Sequence, residues 1–392
     1  MFASTYNVRK AARKSRRTGT AWRQTGRGRA SGGGKQPTEA TPATSMTPRE
    51  RWLAVLTRHK PDRVPMDYWG TREATARLVR HLRCADEWEV FRRLRIDRPV
   101  VVAPAYVGPP LKRGYDCFGC RWTRVRYETG VYRECVGHPL AGLDTIEQVR
   151  RNYTWPSPDW FDFSAAAGQI AGKEDYPVQG GGSEPFLTYC ELRGREQAFR
   201  DLRTRPDLVA WCLDRLFELE YEKTRRLYEA LPGRVTFSYV AEDFGWQQGL
   251  LFSPDVIRSV FIPRMKRMID LAHQAGVYVF FHSDGAVRPI IPDMIEAGID
   301  VLNPIQWRCP GMDRAELKRE FGELIVFHGG VDNQQTLPFG SVEDVRAEVA
   351  YNLEVLGAGG GYILAPCHNI QAVTPPENVV AMYEAGHELG RL

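Results

Sequence analysis

The sequence predicts a TIM (β/α)8 barrel, on three observations. Eight short runs rich in Val, Ile, Leu, Phe and Tyr alternate with stretches of 3.6-residue apolar periodicity from residue 46 onward. Strands alternating with helices imply a parallel sheet, because each parallel strand needs a crossover, and a count of eight favours a closed barrel over a doubly wound sheet. Nearly every run also ends in a polar or Gly-rich segment, and in such a barrel the chemistry collects where the C-terminal strand ends meet.

In chain order the predicted strands are 64–68, 99–103, 177–180, 235–240, 277–281, 300–304, 324–327 and 361–365. Helices are marked by DLVAWCLDRLFELEYEKTRRLYEAL, by PDVIRSVFIPRMKRMIDLAHQAG and by a last segment from Pro376 to about Leu389. Ser253 before Pro254 reads as an N-cap with proline at the first helical position, and Gly276 as the stop. Between the second and third strands lie two expected insertions. One is a hairpin within 112–140 turning at Glu128-Thr129-Gly130, the other the Trp/Pro-rich segment NYTWPSPDWFDF.

Hydrophobic content of 43% and aromatic content of 11% suit a globular chain, and apolar runs such as 277–281 are too short to cross a bilayer. The net charge of +5 is unevenly placed. Residues 1–45 hold ten Lys/Arg and one acid, a net +9, which leaves the remainder at −4. That segment is rich in Gly, Ser and Thr without apolar periodicity. It is expected to be a disordered basic extension, with the barrel domain at 46–392, in preference to a nucleic-acid-binding tail. It has no apolar core of the kind a secretory signal needs. The eight cysteines lack framework spacing and read as reduced thiols of a cytoplasmic protein. Cys117, Cys120 and Cys135 make an incomplete zinc set, because no second CxxC follows.

The strand ends carry Asp67, Tyr106, Gln179 before three glycines, Glu242 and Asp243, His282 and Asp284, Asn303 and Gln306, His328 and Asp332, and Cys367 and His368. His282 and Asp284, two apart in FFHSDGAVRP, project to one face of an extended chain. Imidazole and carboxylate both ligate zinc, and Cys367 offers a third, thiolate donor that leaves one position open. Because Cys367 and His368 are adjacent, only one of them joins a common site. The same residues also read as an acid/base pair, or as a histidine held by its neighbouring carboxylate with Cys367 a small buried thiol. Glu242 and Asp243 are candidates for general acid/base work, and as an exposed pair they also read as solvated. No GxGxxG or GxxxxGK[ST] occurs in the right context, so no nucleotide cofactor is expected.

These residues resemble the uroporphyrinogen decarboxylase superfamily, which includes cobalamin-dependent methyltransferases. The resemblance begins at MTPRERWLAVLTRHKPDRVPMDYWG. It is densest in AEDFGWQQGLLFSPDVIRSVFIPRMKRMI, FHSDGAVRPIIPDMIEAGIDVLNPIQ, LIVFHGGVDNQQTLPFGSVEDVRAEV and GGGYILAPCHNIQAVTPPENVVAMYEA. The decarboxylase branch carries several arginines where this chain reads MDYWGTREAT, with only Arg72. The methyltransferase branch holds zinc on a His-x-Cys and a second Cys. His282 and Cys367 match the outer positions, while Asp284 stands in the middle one.

The resemblance therefore implies a methyltransferase-like enzyme acting on a corrinoid or methylated small molecule. A corrinoid protein is its expected partner and a homodimer its expected state. In that reading His282, Asp284 and Cys367 hold zinc, while Glu242 and Asp243 position substrate or move protons. Asp332 is catalytic or lines the pocket, and Asp67, Arg72, Gln179, Arg288, Gln306, His328 and His368 contact substrate. The alternatives are a metal-free tetrapyrrole decarboxylase using Asp67 or Asp332 with Arg72, Arg113 and Arg288, and a non-catalytic corrinoid- or tetrapyrrole-binding protein.

Overall fold

The structure, a computed structural model, describes residues 45–127 and 130–392. The expected basic extension, up to residue 44, and the turn residues Glu128 and Thr129 lie outside the described residues. Seven parallel strands form one sheet in sequential order: β1 Val100–Val102, β2 Val178–Ser183, β3 Phe237–Ala241, β4 Tyr278–His282, β5 Val301–Asn303, β6 Val326–Val331 and β7 Tyr362–Pro366. Helices cross between most of them, and the architecture is the barrel that the strand count predicts.

The first predicted strand, 64–68, is a stave without a ladder. Met66 bridges Leu364 of β7 in parallel sense, with Asp67 N–H donating to Leu364 O and Leu364 N–H to Pro65 O. On its other edge Asp97 N–H donates to Met66 O, which joins the stave to the chain entering β1. Pro65 and Pro99 have no N–H to donate, so the ladder stops at one bridge of two bonds on the β7 side and one bond on the β1 side.

Between β3 and β4 the predicted helix runs without a gap from Pro254 to Gln274, with one wider turn inside it. A short turn at Pro254–Val256, capped by Ser253, runs into a π-helical turn at Ile257–Phe261 before the helix Ile262–Gln274. Pro263 cannot make the i→i−4 bond, and the wider turn absorbs that loss. The insertion hairpin forms as expected, pairing Arg121–Tyr127 with Gly130–Gly137. At the bulge between β2 and β3, a Cβ on Gly182, whose φ is +116°, would sit 1.8 Å from Tyr239 O. Only glycine allows the two strands to meet there.

Side chains alternate across each strand, so the sheet has two apolar faces. The outer face packs on helices, as Leu213, Leu216 and Leu227 of Pro206–Ala230 do. The inner face has its own smaller cluster: Phe237, Phe280, Val301, Val326 and Ile363, with Trp52, Val55 and Leu56. Those last three come from the helix Pro48–Leu56, set up by a Thr47/Glu50 capping box and proline in its first turn. Trp52 stacks on Phe237 with ring centroids 5.1 Å apart. Because Phe237, Val301 and Val326 each begin a strand, this helix plugs the N-terminal end of the barrel. Arg51 and Arg63 both pair with the buried Asp97, at 2.5 and 2.7 Å, which ties plug, stave and β1 together.

Candidate active site

One alternation step above the plug, the inner face turns polar. Phe237 gives way to Tyr239, Phe280 to His282, Val301 to Asn303 and Val326 to His328, each two residues further along the same strand. Asp67 joins them from the stave. The result is a chain of hydrogen bonds across the barrel: His282 Nδ1 to Asn303 Oδ1 at 2.6 Å, Asn303 Nδ2 to His328 Nδ1 at 2.7 Å, and His328 Nε2 to Asp67 Oδ2 at 3.0 Å. Asp67 also accepts from Tyr68 N–H and Trp69 Nε1–H, both at 2.7 Å.

Above that layer, in the loops that leave the strands, two carboxylates face the other nitrogen of His282. Its Nε2 stands 3.9 Å from Asp243 Oδ1 and 3.9 Å from Asp284 Oδ1. Those distances are too long for hydrogen bonds. Asp284 is oriented by Gln306, whose Nε2 donates to it at 3.0 Å while its Oε1 accepts Gly285 N–H at 2.8 Å. Asp243 Oδ1 accepts Asp284 N–H at 3.2 Å. The two loops touch because of glycine: a Cβ on Gly245 would lie 2.5 Å from Asp284 O, and one on Gly285 (φ +83°) 2.5 Å from Trp246 O. Among the described residues, Asp243, His282 and Asp284 are the His/Cys/Asp/Glu group of three or more whose ligand atoms all lie within 4.8 Å of one another.

His368 reaches the same place, with Nε2 3.7 Å from Asp284 Oδ2. Burial lowers its pKa, against the pull of Asp284, and so favours a neutral ring. Trp69 stacks on His282 at 5.7 Å and Tyr239 flanks it at 5.5 Å. Glu184, just past β2, has its carboxyl pushed up to about 7 by burial; His282 opposes this and Asp243 and Asp284 add to it. The barrel mouth is open on the β1 side. Val101, in the middle of its strand, is 54% exposed, and a cavity of roughly 100 Å³ is lined by Asp67, Trp69, Arg98, Val101 and Gln179.

Several residues sit elsewhere than the sequence suggests. Cys367, expected as the third metal ligand, is not in the triad: its thiol donates to Ile305 O at 3.1 Å, and burial with Asp332 and Glu348 nearby holds it protonated. Of the adjacent pair, His368 is the one that approaches Asp284. Glu242, expected as an acid/base, is 2% exposed and accepts Phe186 N–H at 2.8 Å, which caps the helix Pro185–Arg193. Its burial raises its pKa well above the usual carboxyl range. Asp332 is occupied by Arg308 at 2.6 Å and by the N–H groups of Gln334, Gln335 and Thr336. His328 has no exposed surface and lies beneath the site, while Asp67, 2% exposed, reaches the wall of the mouth cavity.

Arg288 is held by Glu316 at 3.1 Å and by Glu320, away from the triad. Arg72 lies on a neighbouring groove with Arg80 and Arg98, which meets the mouth cavity at Gly70 and Arg98. Glu184, Trp69, Tyr239 and the relay role of Asn303 were not anticipated. Extending the strand-end rule past the three glycines to Glu184 would have found the first. The others show only in packing.

A parallel barrel with His and carboxylate donors at its C-terminal mouth defines the class, that of a TIM-barrel protein with a site in its βα loops. Residues 145–389 match the family model of uroporphyrinogen decarboxylase (URO-D), more than half of the chain, and the chain belongs to this family. Uroporphyrinogen decarboxylase of Neisseria meningitidis is 27% identical over 220 residues, 55% of this chain and 56% of that protein. Methylcobamide:CoM methyltransferase MtaA of Methanosarcina barkeri is 26% identical over 214 residues, 55% of this chain and 59% of that protein. The chain thus spans little more than half the length of these curated relatives. A methyltransferase from Methanosarcina mazei shares the fold with a TM-score of 0.62 at 21% identity, over 88% of this chain and 99% of that one. No helix among the described residues is long and apolar enough to cross a membrane.

Proposed function

We propose that this chain is a cytoplasmic methyl-transferring enzyme whose Asp243, His282 and Asp284 hold a divalent cation, zinc in the first instance. The observation behind it is the placing of His282 Nε2 opposite two carboxylate oxygens at 3.9 Å each, with no hydrogen bond between them. Two negative charges and an imidazole lone pair converging in a half-buried mouth fit a cation of this size and leave coordination positions open for a ligand. The donor set is one nitrogen and two oxygens, harder than the thiolate-rich set that the resemblance implies. Bound there, zinc supplies Lewis acidity that favours the deprotonated form of a coordinated thiol.

The chain's own residues do the rest. Gln306 fixes the rotation of Asp284, Trp69 and Tyr239 wall the imidazole, and His368 accepts or returns a proton at Nε2. Glu184, with its carboxyl near 7, is a second proton carrier at the mouth. The name of the Methanosarcina barkeri relative supplies the reading's substrates: a methylated corrinoid on a partner protein as donor and a small thiol as acceptor.

Metal analysis of purified protein tests this. Stoichiometric zinc that is lost in His282→Ala supports it, and a metal-free protein that consumes uroporphyrinogen III sinks it. The decarboxylase reading draws on the Neisseria relative. It needs several free cations for a polyanionic substrate: Arg288 is already neutralised by Glu316 and Glu320, which leaves Arg72 and Arg98 on the groove beside the mouth.

A further inference from the structure

We infer that Asp67, His328 and Asn303 are positioning residues that set the tautomer of His282, so that its Nε2 always presents a lone pair to the mouth. The inference rests on the metal reading above and deepens it.

The hydrogen bonds fix one another from the buried carboxylate outward. Asp67 already accepts two N–H groups, from Tyr68 and Trp69, and a carboxylate has only acceptors to offer. His328 Nε2, 3.0 Å from Asp67 Oδ2, therefore carries the hydrogen. A neutral imidazole has one N–H, so His328 Nδ1 is an acceptor. The group facing it at 2.7 Å must be the Asn303 amide nitrogen. That choice turns the amide oxygen toward His282 Nδ1 at 2.6 Å, and this nitrogen donates. The single N–H of His282 is then engaged below, and Nε2 is unprotonated where it meets Asp243 and Asp284.

Each link forces the next, because each side chain has one donor and one acceptor in line. Reversing any bond would set two donors or two acceptors face to face inside the barrel. Asn303 and His328 have no exposed surface and act through His282, while Asp67, at the edge of the mouth cavity, is engaged by Tyr68, Trp69 and His328. Outer partners of this kind typically change metal affinity by about 10- to 100-fold.

The test is nitrogen NMR of the metal-free protein labelled at histidine, together with zinc titration against a competing chelator. Wild type is expected to show His282 protonated at Nδ1 and bare at Nε2. His328→Phe frees the Asn303 amide to rotate. It should give a mixture of both His282 tautomers and weaken zinc by about 10- to 100-fold at unchanged stoichiometry. Asn303→Leu should do the same, while Asn303→Asp, which keeps an acceptor toward His282 and draws a second proton onto His328 Nδ1, should restore the Nδ1–H form of His282. A purely structural role would lower stability without moving the tautomer. Wild-type His282 protonated at Nε2 overturns the inference even if no variant folds. So do unchanged tautomer and zinc affinity in both His328→Phe and Asn303→Leu. Zinc retained by His282→Ala sinks the metal reading and leaves the tautomer measurement standing on its own.

Discussion

The two inner layers of the barrel are built from the same strands and differ by two residues. The lower layer (Trp52, Phe237, Phe280, Val301, Val326, Ile363) is apolar and closed by a helix. The upper layer (Tyr239, His282, Asn303, His328) is polar, with His282, Asn303 and His328 hydrogen-bonded in a row to Asp67 and one side open to the mouth. The lower layer is where stability comes from non-directional burial. The upper one is where polar atoms need directed partners, and His282 Nε2, which faces two carboxylates without a hydrogen bond to either, marks the site.

The largest break in this contrast is expected from Phe280→Ala. It opens a cavity against Trp69, Phe237 and Tyr239 and should cost about 3–5 kcal/mol in denaturant unfolding, with zinc stoichiometry of the folded fraction unchanged. In the loops above the upper layer, Asp284→Asn removes one charge of the triad. It should weaken zinc about a hundredfold, or about 2.7 kcal/mol, with little loss of stability in the metal-free protein.

A smaller effect attaches to Glu184. Its folded pKa of about 7 lies above the ordinary 4.5, so between those values the folded chain keeps a proton that the unfolded chain releases. Stability of the metal-free protein should therefore fall as pH rises through that window. Glu184→Gln should flatten the slope and gain about 1–2 kcal/mol at pH 8, read by thermal unfolding at several pH values. The smallest effect is expected from Arg288→Ala. Its partly exposed pairs with Glu316 and Glu320 should be worth no more than about 1 kcal/mol, with zinc affinity unmoved. A large loss of zinc there would erase the distinction between mouth and periphery.

Much of the fold was legible because hydrophobic periodicity is a local property. Strands β1 to β7 each overlap a predicted run, and the last helix, Pro376–Leu389, lies where predicted. The departures are at prolines. Pro65 and Pro99 reduce the first stave to a bridge, and Pro263 puts a π-helical turn into a helix that is otherwise continuous, as read. At the site, the nearness of His282 and Asp284 was legible from their i, i+2 spacing, although Asp284 lies in the loop past the strand and takes its orientation from Gln306 and Asp243. That Asp243 approaches His282 while Cys367 turns to a backbone carbonyl did not follow from spacing. It depended on how the 243–250 loop folds against Gly285, and on Cys367 finding Ile305 O. Glu242 and Asp332 read as chemical groups because they are acids at strand ends. Only their partners reveal a helix cap and an ion pair.

By itself the sequence determined the alternation, and hence a parallel barrel with polar groups collected at one rim. Periodicity decides which face a residue takes, and strand ends are read along the chain. The tertiary structure decided which of those polar groups meet. Contacts such as Asp67 with His328 join residues 261 apart in the chain. No local pattern encodes whether two distant strands in the closed barrel set a nitrogen against an oxygen at 3 Å or at 10.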